Sequence, residues 1–313
     1  MNQLFTSSDI TVLGLGSMGA ALAHSLVNTG LKVTVWNRTA ARAEPLVRRG
    51  ASFASSAAAA IAQSPLTVVC MLDTAAFDAV LQNDDVRAAL SGKTLANLST
   101  GTIDEARRIA AVVHRLNAKY LHGGILGYPR DIGAAGTLIL YAGSREAFEG
   151  HSTTLRAMAG SQRFLSEDAG GAITVYFALC DYYFGSVTAY LEAAALSSTA
   201  GMDINEFHSI AKQLDPWLES GISDVSRRIA TEKLSGEQAS IDVHLAGLET
   251  IKSAFDDAGV SCYSVDAFIA YLMECQAAGL GHADIASIFG IMKKLPPQLA
   301  MPSQPAFAAK PCA

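Results

Sequence analysis

The feature that most constrains this chain is a glycine turn set between a strand and a helix. Residues Ile10–Leu13 form an apolar run of strand length. Gly14-Leu15-Gly16-Ser17-Met18-Gly19 follow at once, and residues 20–27 continue at helical spacing. In this context each glycine has a physical task. Gly14 allows the tight turn, Gly16 lets the backbone approach a pyrophosphate, and Gly19 lets the helix pack close to the strand. The free N–H groups and dipole of the helix N-terminus favour the anion. A second apolar strand over residues 31–36 ends in Asn37-Arg38-Thr39. An NAD site usually places Asp or Glu there to accept from the ribose 2′-OH. A neutral Asn37 beside the cation Arg38 suits a 2′-phosphate instead, with Arg42 one turn further on, so the motif predicts NADP(H).

The remainder of the sequence limits what such a nucleotide fold can serve. A formal net charge of −6 argues against a nucleic-acid partner, which needs a basic footprint. Half of the 313 residues are apolar, yet no run approaches the ~18 needed for a spanning helix, so no membrane partner is expected. Residues 1–9 lack the basic and apolar regions of an export signal. Five cysteines with no CxxC spacing fit reduced thiols, predicting a cytoplasmic protein with no disulfide framework and no metal site.

Strand and helix patterns alternate through residue 165. The run 66–72 is continuously apolar, as in a strand buried on both faces. Further strands are predicted at 51–54, 93–98, 120–125, 137–142 and 163–165. Helices are predicted at 40–49, 56–63, 75–81, 103–117 and 145–159. This alternation defines an α/β fold with a doubly wound, mostly parallel Rossmann sheet over residues 1–165. From Gly171 to Gly201 only Gly185 interrupts the helical pattern, giving one long interdomain helix assigned to 166–200. Residues 201–294 read as all-α, and the proline-rich segment 295–313 reads as a tail. The long helix is apolar on several sides, and one small domain offers too little cover for all of them. The expectation is a homodimer with interlocked helical domains.

These motifs carry a resemblance. The Gly14–Gly19 loop, Asn37-Arg38-Thr39 and Gly133-Ala-Ala-Gly-Thr-Leu138 with Gly143 resemble the β-hydroxyacid dehydrogenase superfamily. That resemblance implies a Rossmann domain, an interdomain helix and a helical dimerisation domain. The finer match is to imine reductases and reductive aminases. It rests on Asn97-Leu-Ser-Thr-Gly-Thr102, Tyr128-Pro-Arg-Asp-Ile-Gly133, Asp242-Val-His244 through Gly247, and Gly279-Leu-Gly-His-Ala-Asp284. It implies NADPH-dependent reduction of a cyclic imine, or of the imine formed from a ketone and an amine. The other readings are a β-hydroxyacid dehydrogenase and a non-catalytic NADP-binding protein.

An absence in the sequence points the same way. A hydroxyacid dehydrogenase must manage alkoxide charge, and the parent superfamily uses a Lys on the interdomain helix. This chain has no Lys between Lys119 and Lys212. A neutral phenol lacks an ammonium's charge, but an iminium already carries its own positive charge. Tyr176 matches the position where imine reductases carry Asp or Tyr, making it the first candidate for proton donor. Asp181, about 140° away around the helix, is the second.

The rest of the site is read from position. Tyr183 and Phe184 fall near the Tyr176 face and are expected to line a substrate pocket. Trp217 resembles an aromatic pocket position of reductive aminases, contributed across the dimer. His244, with Asp242, is a candidate for the far wall. Asn97, Ser99 and Thr100 end a strand near the switch point and could hold the nicotinamide ribose or carboxamide. A plain polar loop is the alternative. Met71, Leu72 and Asp73 are expected to flank the ribose. His122 stands where the superfamily often has Asp and is given no role.

Overall fold

The computed structural model describes residues 8–294. The expected tail, 295–313, lies outside them. The described residues divide into two compact units, one ending at Asp181 and the other beginning at Tyr182.

In the first unit eight strands form one sheet. They are β1 (Ile10–Leu13), β2 (Val33–Trp36), β3 (Ser52–Phe53), β4 (Leu66–Val69), β5 (Thr94–Asn97), β6 (Lys119–Leu126), β7 (Leu138–Gly143) and β8 (Ser161–Ser166). Their spatial order is β3-β2-β1-β4-β5-β6-β7-β8. Strands β1 to β6 are parallel, each reached by a helical or looped crossover. Strand β7 pairs antiparallel with β6, and β8 runs parallel to β7. The chain leaves β1 for β2 on one side and later returns to β4 on the other. That reversal opens a crevice at the carboxyl ends of β1 and β4, where open α/β sheets bind ligands.

The continuous apolar runs follow from burial on both faces. Ile10, Val12, Leu66, Val68 and Ala96 pack into one cluster, while Leu13, Val69 and Leu95 belong to another. Neighbouring residues of one strand point to opposite faces, so each strand feeds both cores. Phe77, fully buried in the second cluster, anchors the helix Thr74–Leu81. Truncating such a ring costs about 3–5 kcal/mol.

Several predicted elements are shorter or divided. The helix expected at 40–49 is a 3₁₀ turn, Ala40–Ala43, followed by the single turn Glu44–Val47. Pro45 lacks the N–H that would continue one into the other. The helix expected at 145–159 is two, Arg145–Gly150 and Ser152–Arg156. The helix Asp84–Leu90 was not expected; the Asn83 side chain caps it by accepting from Val86 N. The helix Ile103–Arg115 begins with a capping box between Thr102 and Glu105. Those reciprocal bonds pin the loop that leaves β5.

The second unit is helical. Ile204–Ala211, Asp215–Thr231, Ile241–Asp257, Tyr263–Ala277 and Ile288–Met292 are its α-helices after the long helix. Ile241, Leu272, Cys275 and Leu280 centre its core. Arg228 is buried there, paired with Asp224 and donating to the Ser235 carbonyl. The long helix spans Gly170–Thr199 and contributes to both units. Its middle remains uncovered: Tyr182 is 57% exposed, Phe184 62% and Leu191 60%. Among the described residues no helix is long and apolar enough to cross a membrane, and no His/Cys/Asp/Glu group could hold a metal ion.

Candidate active site

A cleft of about 830 Å³ opens at the carboxyl ends of the parallel strands. The Gly14–Gly19 turn forms its floor, the end of β2 one wall, and the loops after β4 and β5 the other. The first two turns of the long helix and the end of β6 close the remaining side.

The three glycines of the turn differ in what requires them. Gly14 has φ +94°, and a Cβ there would lie 2.3 Å from the Cys70 carbonyl oxygen. A Cβ on Gly19 would lie 2.0 Å from the Gly14 carbonyl oxygen. Strand and helix packing therefore demand both. A Cβ on Gly16 would meet nothing within 4 Å. Packing does not need that glycine, and its bare backbone lies open on the cleft floor. Leu15, Ser17 and Met18 also line the cleft.

Asn37 is held by two bonds. Its Oδ1 accepts from Leu15 N at 2.9 Å, and its Nδ2 donates to the Thr39 carbonyl at 3.1 Å. The side chain ties the glycine turn to the end of β2. Arg38, Thr39 and Arg42 stand beside it on the cleft wall. Among the described residues lining the cleft there is no carboxylate, so nothing repels a phosphate near these two guanidinium groups.

Met71, Leu72, Ser99 and Thr100 line the opposite wall. Met71 N donates to Ser99 Oγ at 3.0 Å, linking the loops after β4 and β5. Two neighbours named from the sequence do not reach the cleft. Asp73 caps the helix Thr74–Leu81, its Oδ1 accepting from Ala76 N at 2.8 Å. Asn97 is fully buried behind the wall. Its Oδ1 accepts from Ser99 N, and its Nδ2 donates to the Tyr120 hydroxyl. Local backbone groups claim both side chains, a competition that strand-end position alone does not reveal.

Behind Asn97 lies a buried polar array. The Tyr120 hydroxyl bonds His122 Nδ1 at 3.0 Å, while His122 Nε2 is buried without a partner. Burial pushes the His122 pKa down to about 4, so the ring is neutral near pH 7. The residue given no role thus belongs to the support of the cleft wall.

Tyr176 is half-buried and faces the cleft from the long helix. Its ring packs with Leu140, Ala142 and Ala172 against β7. Burial, reinforced by a hydrogen bond with Cys180 one turn later, pushes the phenol up to about 12. The group stays protonated over the whole neutral range. Asp181 is exposed and absent from the lining. Tyr183, Phe184, Trp217 and His244 belong to the second unit, where Trp217 is 75% exposed and His244 half-buried. Sequence reasoning missed Leu98, Gly124, Ile125 and Ile173, which give the cleft an apolar corner beside Tyr176. The first three end β5 or β6, so the carboxyl-end rule was the available signal.

A mostly parallel sheet with this strand order, a glycine turn at its switch point and a pair of arginines with no carboxylate in the described lining mark a dinucleotide-dependent oxidoreductase. Comparisons with known proteins agree. Residues 9–174 match the NAD binding domain of 6-phosphogluconate dehydrogenase, and residues 168–294 match the C-terminal domain of NADPH-dependent reductive aminase-like proteins. The NADPH-dependent reductive aminase of Aspergillus oryzae is 31% identical over 291 residues, covering 92% of this chain and 98% of that protein. An imine reductase structure from a Pseudomonas species is 43% identical with a TM-score of 0.86, covering 91% of this chain and 99% of that one. A reductive aminase from Aspergillus terreus, solved with an NADPH form, cyclohexanone and allyl amine, is 32% identical with a TM-score of 0.83, covering 92% and 100%. The chain belongs to the imine reductase and reductive aminase family.

Proposed function

We propose that this protein is an NADPH-dependent imine reductase, with cyclic imines its favoured substrates and condensed ketone–amine pairs a further class. The observation that carries the reading is Tyr176: a neutral phenol on the cleft wall, among apolar neighbours, with neither Lys nor carboxylate in the described lining. When bound, NADPH supplies the hydride that reduces the C=N carbon.

The chain's own residues do the rest. The amides after Gly16 and the N-terminus of the helix Ser17–Asn28 hold the pyrophosphate. Arg38 and Arg42 pair with the 2′-phosphate, and Asn37 keeps the turn in register with them. Met71, Leu72, Ser99 and Thr100 flank the ribose and nicotinamide end. Tyr176 holds a proton on Oη and delivers it to an imine nitrogen, or orients a nitrogen already protonated. Leu98, Ile125 and Ile173 exclude water around the ring being reduced. An alkoxide would need a cation here, and the cleft's arginines stand at the end of β2.

The active assembly is a homodimer of the reducing cytoplasm. Tyr182, Phe184 and Leu191 of the long helix, with Trp217 and Leu218, expose more aromatic and aliphatic surface than an isolated unit would keep in water. Tyr183 and Phe184, on the helix that carries Tyr176, line the substrate pocket, the partner's Trp217 closes it, and His244 stands on its far wall. The described thiols, Cys70, Cys180, Cys262 and Cys275, are free.

The test is NADPH oxidation with 2-methyl-1-pyrroline. Turnover that drops about 10²-fold or more in Tyr176→Phe supports the reading. No imine turnover combined with oxidation of 3-hydroxyisobutyrate overturns it.

A further inference from the structure

Gly124 sits within β6, opposite Leu140 of β7, and is buried. Glycine weakens a strand interior and marks places where something approaches the backbone closely. Here the approaching group is Tyr176. A Cβ on Gly124 would lie 2.7 Å from Tyr176 Cβ and 2.8 Å from its Cγ and Cδ2. These distances are about an ångström short of ordinary carbon–carbon contact. Cβ and Cγ lie on the ring's own axis, so turning the ring can move Cδ2 aside but relieves neither of them. The φ of Gly124 is not in the left-handed region, so the backbone conformation does not demand glycine. The ring does.

We infer that Gly124 is a positioning residue for Tyr176: its bare backbone is the seat that fixes how far the phenol reaches into the cleft. This rests on Tyr176 being the proton donor. A methyl group at 124 must push the root of the side chain away, and the ring transmits that push to Oη at its far end. A misplacement of about 1 Å at a reacting group can cost about 10²-fold in rate. The dinucleotide contacts lie on other walls, so cofactor binding has no reason to change. Residue 124 is thereby a determinant of kcat, and of which imines place their nitrogen within reach of the phenol.

The experiment is a double-mutant cycle with 2-methyl-1-pyrroline and NADPH on the full chain. Gly124→Ala should lower kcat about 10- to 100-fold, with the KM for NADPH within about threefold of wild type. In a Tyr176→Phe background the same change should alter kcat less than about twofold, because no hydroxyl remains to misplace. An equal loss in both backgrounds, or wild-type kcat in Gly124→Ala, overturns the inference. If Tyr176→Phe itself keeps wild-type kcat, the donor reading has failed instead. Should Gly124→Ala prove insoluble, Gly124→Ala/Tyr176→Gly removes the three atoms nearest the new methyl. Recovery of soluble, NADPH-binding protein supports the seat; no recovery overturns it.

Discussion

His122 gives the sharpest physical test of the buried array behind the cleft wall. The ring is fully buried, and burial holds its pKa down to about 4. In the unfolded chain the same ring titrates near 6.5. As the pH falls the unfolded chain therefore takes up the proton first. The stability that depends on a neutral His122 is complete above about pH 6.5 and is lost between there and pH 4. At pH 4.5 the unfolded ring is almost wholly charged and the folded ring only partly so, which amounts to about 2–3 kcal/mol. The perturbation is His122→Asn, which cannot titrate and keeps an amide to meet the Tyr120 hydroxyl. Urea unfolding of both proteins at pH 7.5 and pH 4.5 isolates the effect, since the carboxylates are common to the two. Wild type should lose about 2–3 kcal/mol more than the variant. Equal losses would refute the claim that a neutral buried imidazole supports the wall.

Other outcomes follow from the cleft. Arg38→Ala should raise the KM for NADPH about 10- to 100-fold, the worth of a charged hydrogen bond, and leave that for NADH within threefold; a parallel rise in both would show that Arg38 does not meet the 2′-phosphate. Gly14→Ala, at φ +94° and against the Cys70 carbonyl, should lower the Tm by several degrees. Gly16→Ala, facing open space, should keep the Tm of the cofactor-free protein yet lose about tenfold or more in NADPH affinity. With the Tyr176 phenol pushed up to about 12, wild type and Tyr176→Phe should show parallel kcat–pH profiles from pH 7 to 10. An alkaline limb below pH 10 in wild type alone would contradict a phenol so held.

The nucleotide half of the fold was legible because its signals are local. The apolar runs of β1, β2 and β4 need only their own residues, and the glycine turn sits directly between its strand and helix. What escaped depended on competition between neighbours. The helix Asp84–Leu90 begins in a polar stretch that reads as loop until Asn83 is seen to cap it. Asp73 and Asn97 stand where ligand-binding residues stand, but each is drawn to a backbone N–H within three residues. His122 looked like an idle replacement because its partner, Tyr120, is two residues away on the same strand and meets it only through the side-chain hydroxyl. Gly124 carried no motif; its meaning appears only when the long helix lays Tyr176 across it.

The uncovered middle of the long helix has a kinetic consequence. A chain released from denaturant can complete its sheet alone, because those contacts are its own. In the proposed homodimer the aromatic surface around Tyr182 and Phe184 is covered only when another chain arrives. Regain of activity should thus be second order in chain concentration while regain of sheet structure is first order. During the interval between the two this exposed apolar surface is open to aggregation.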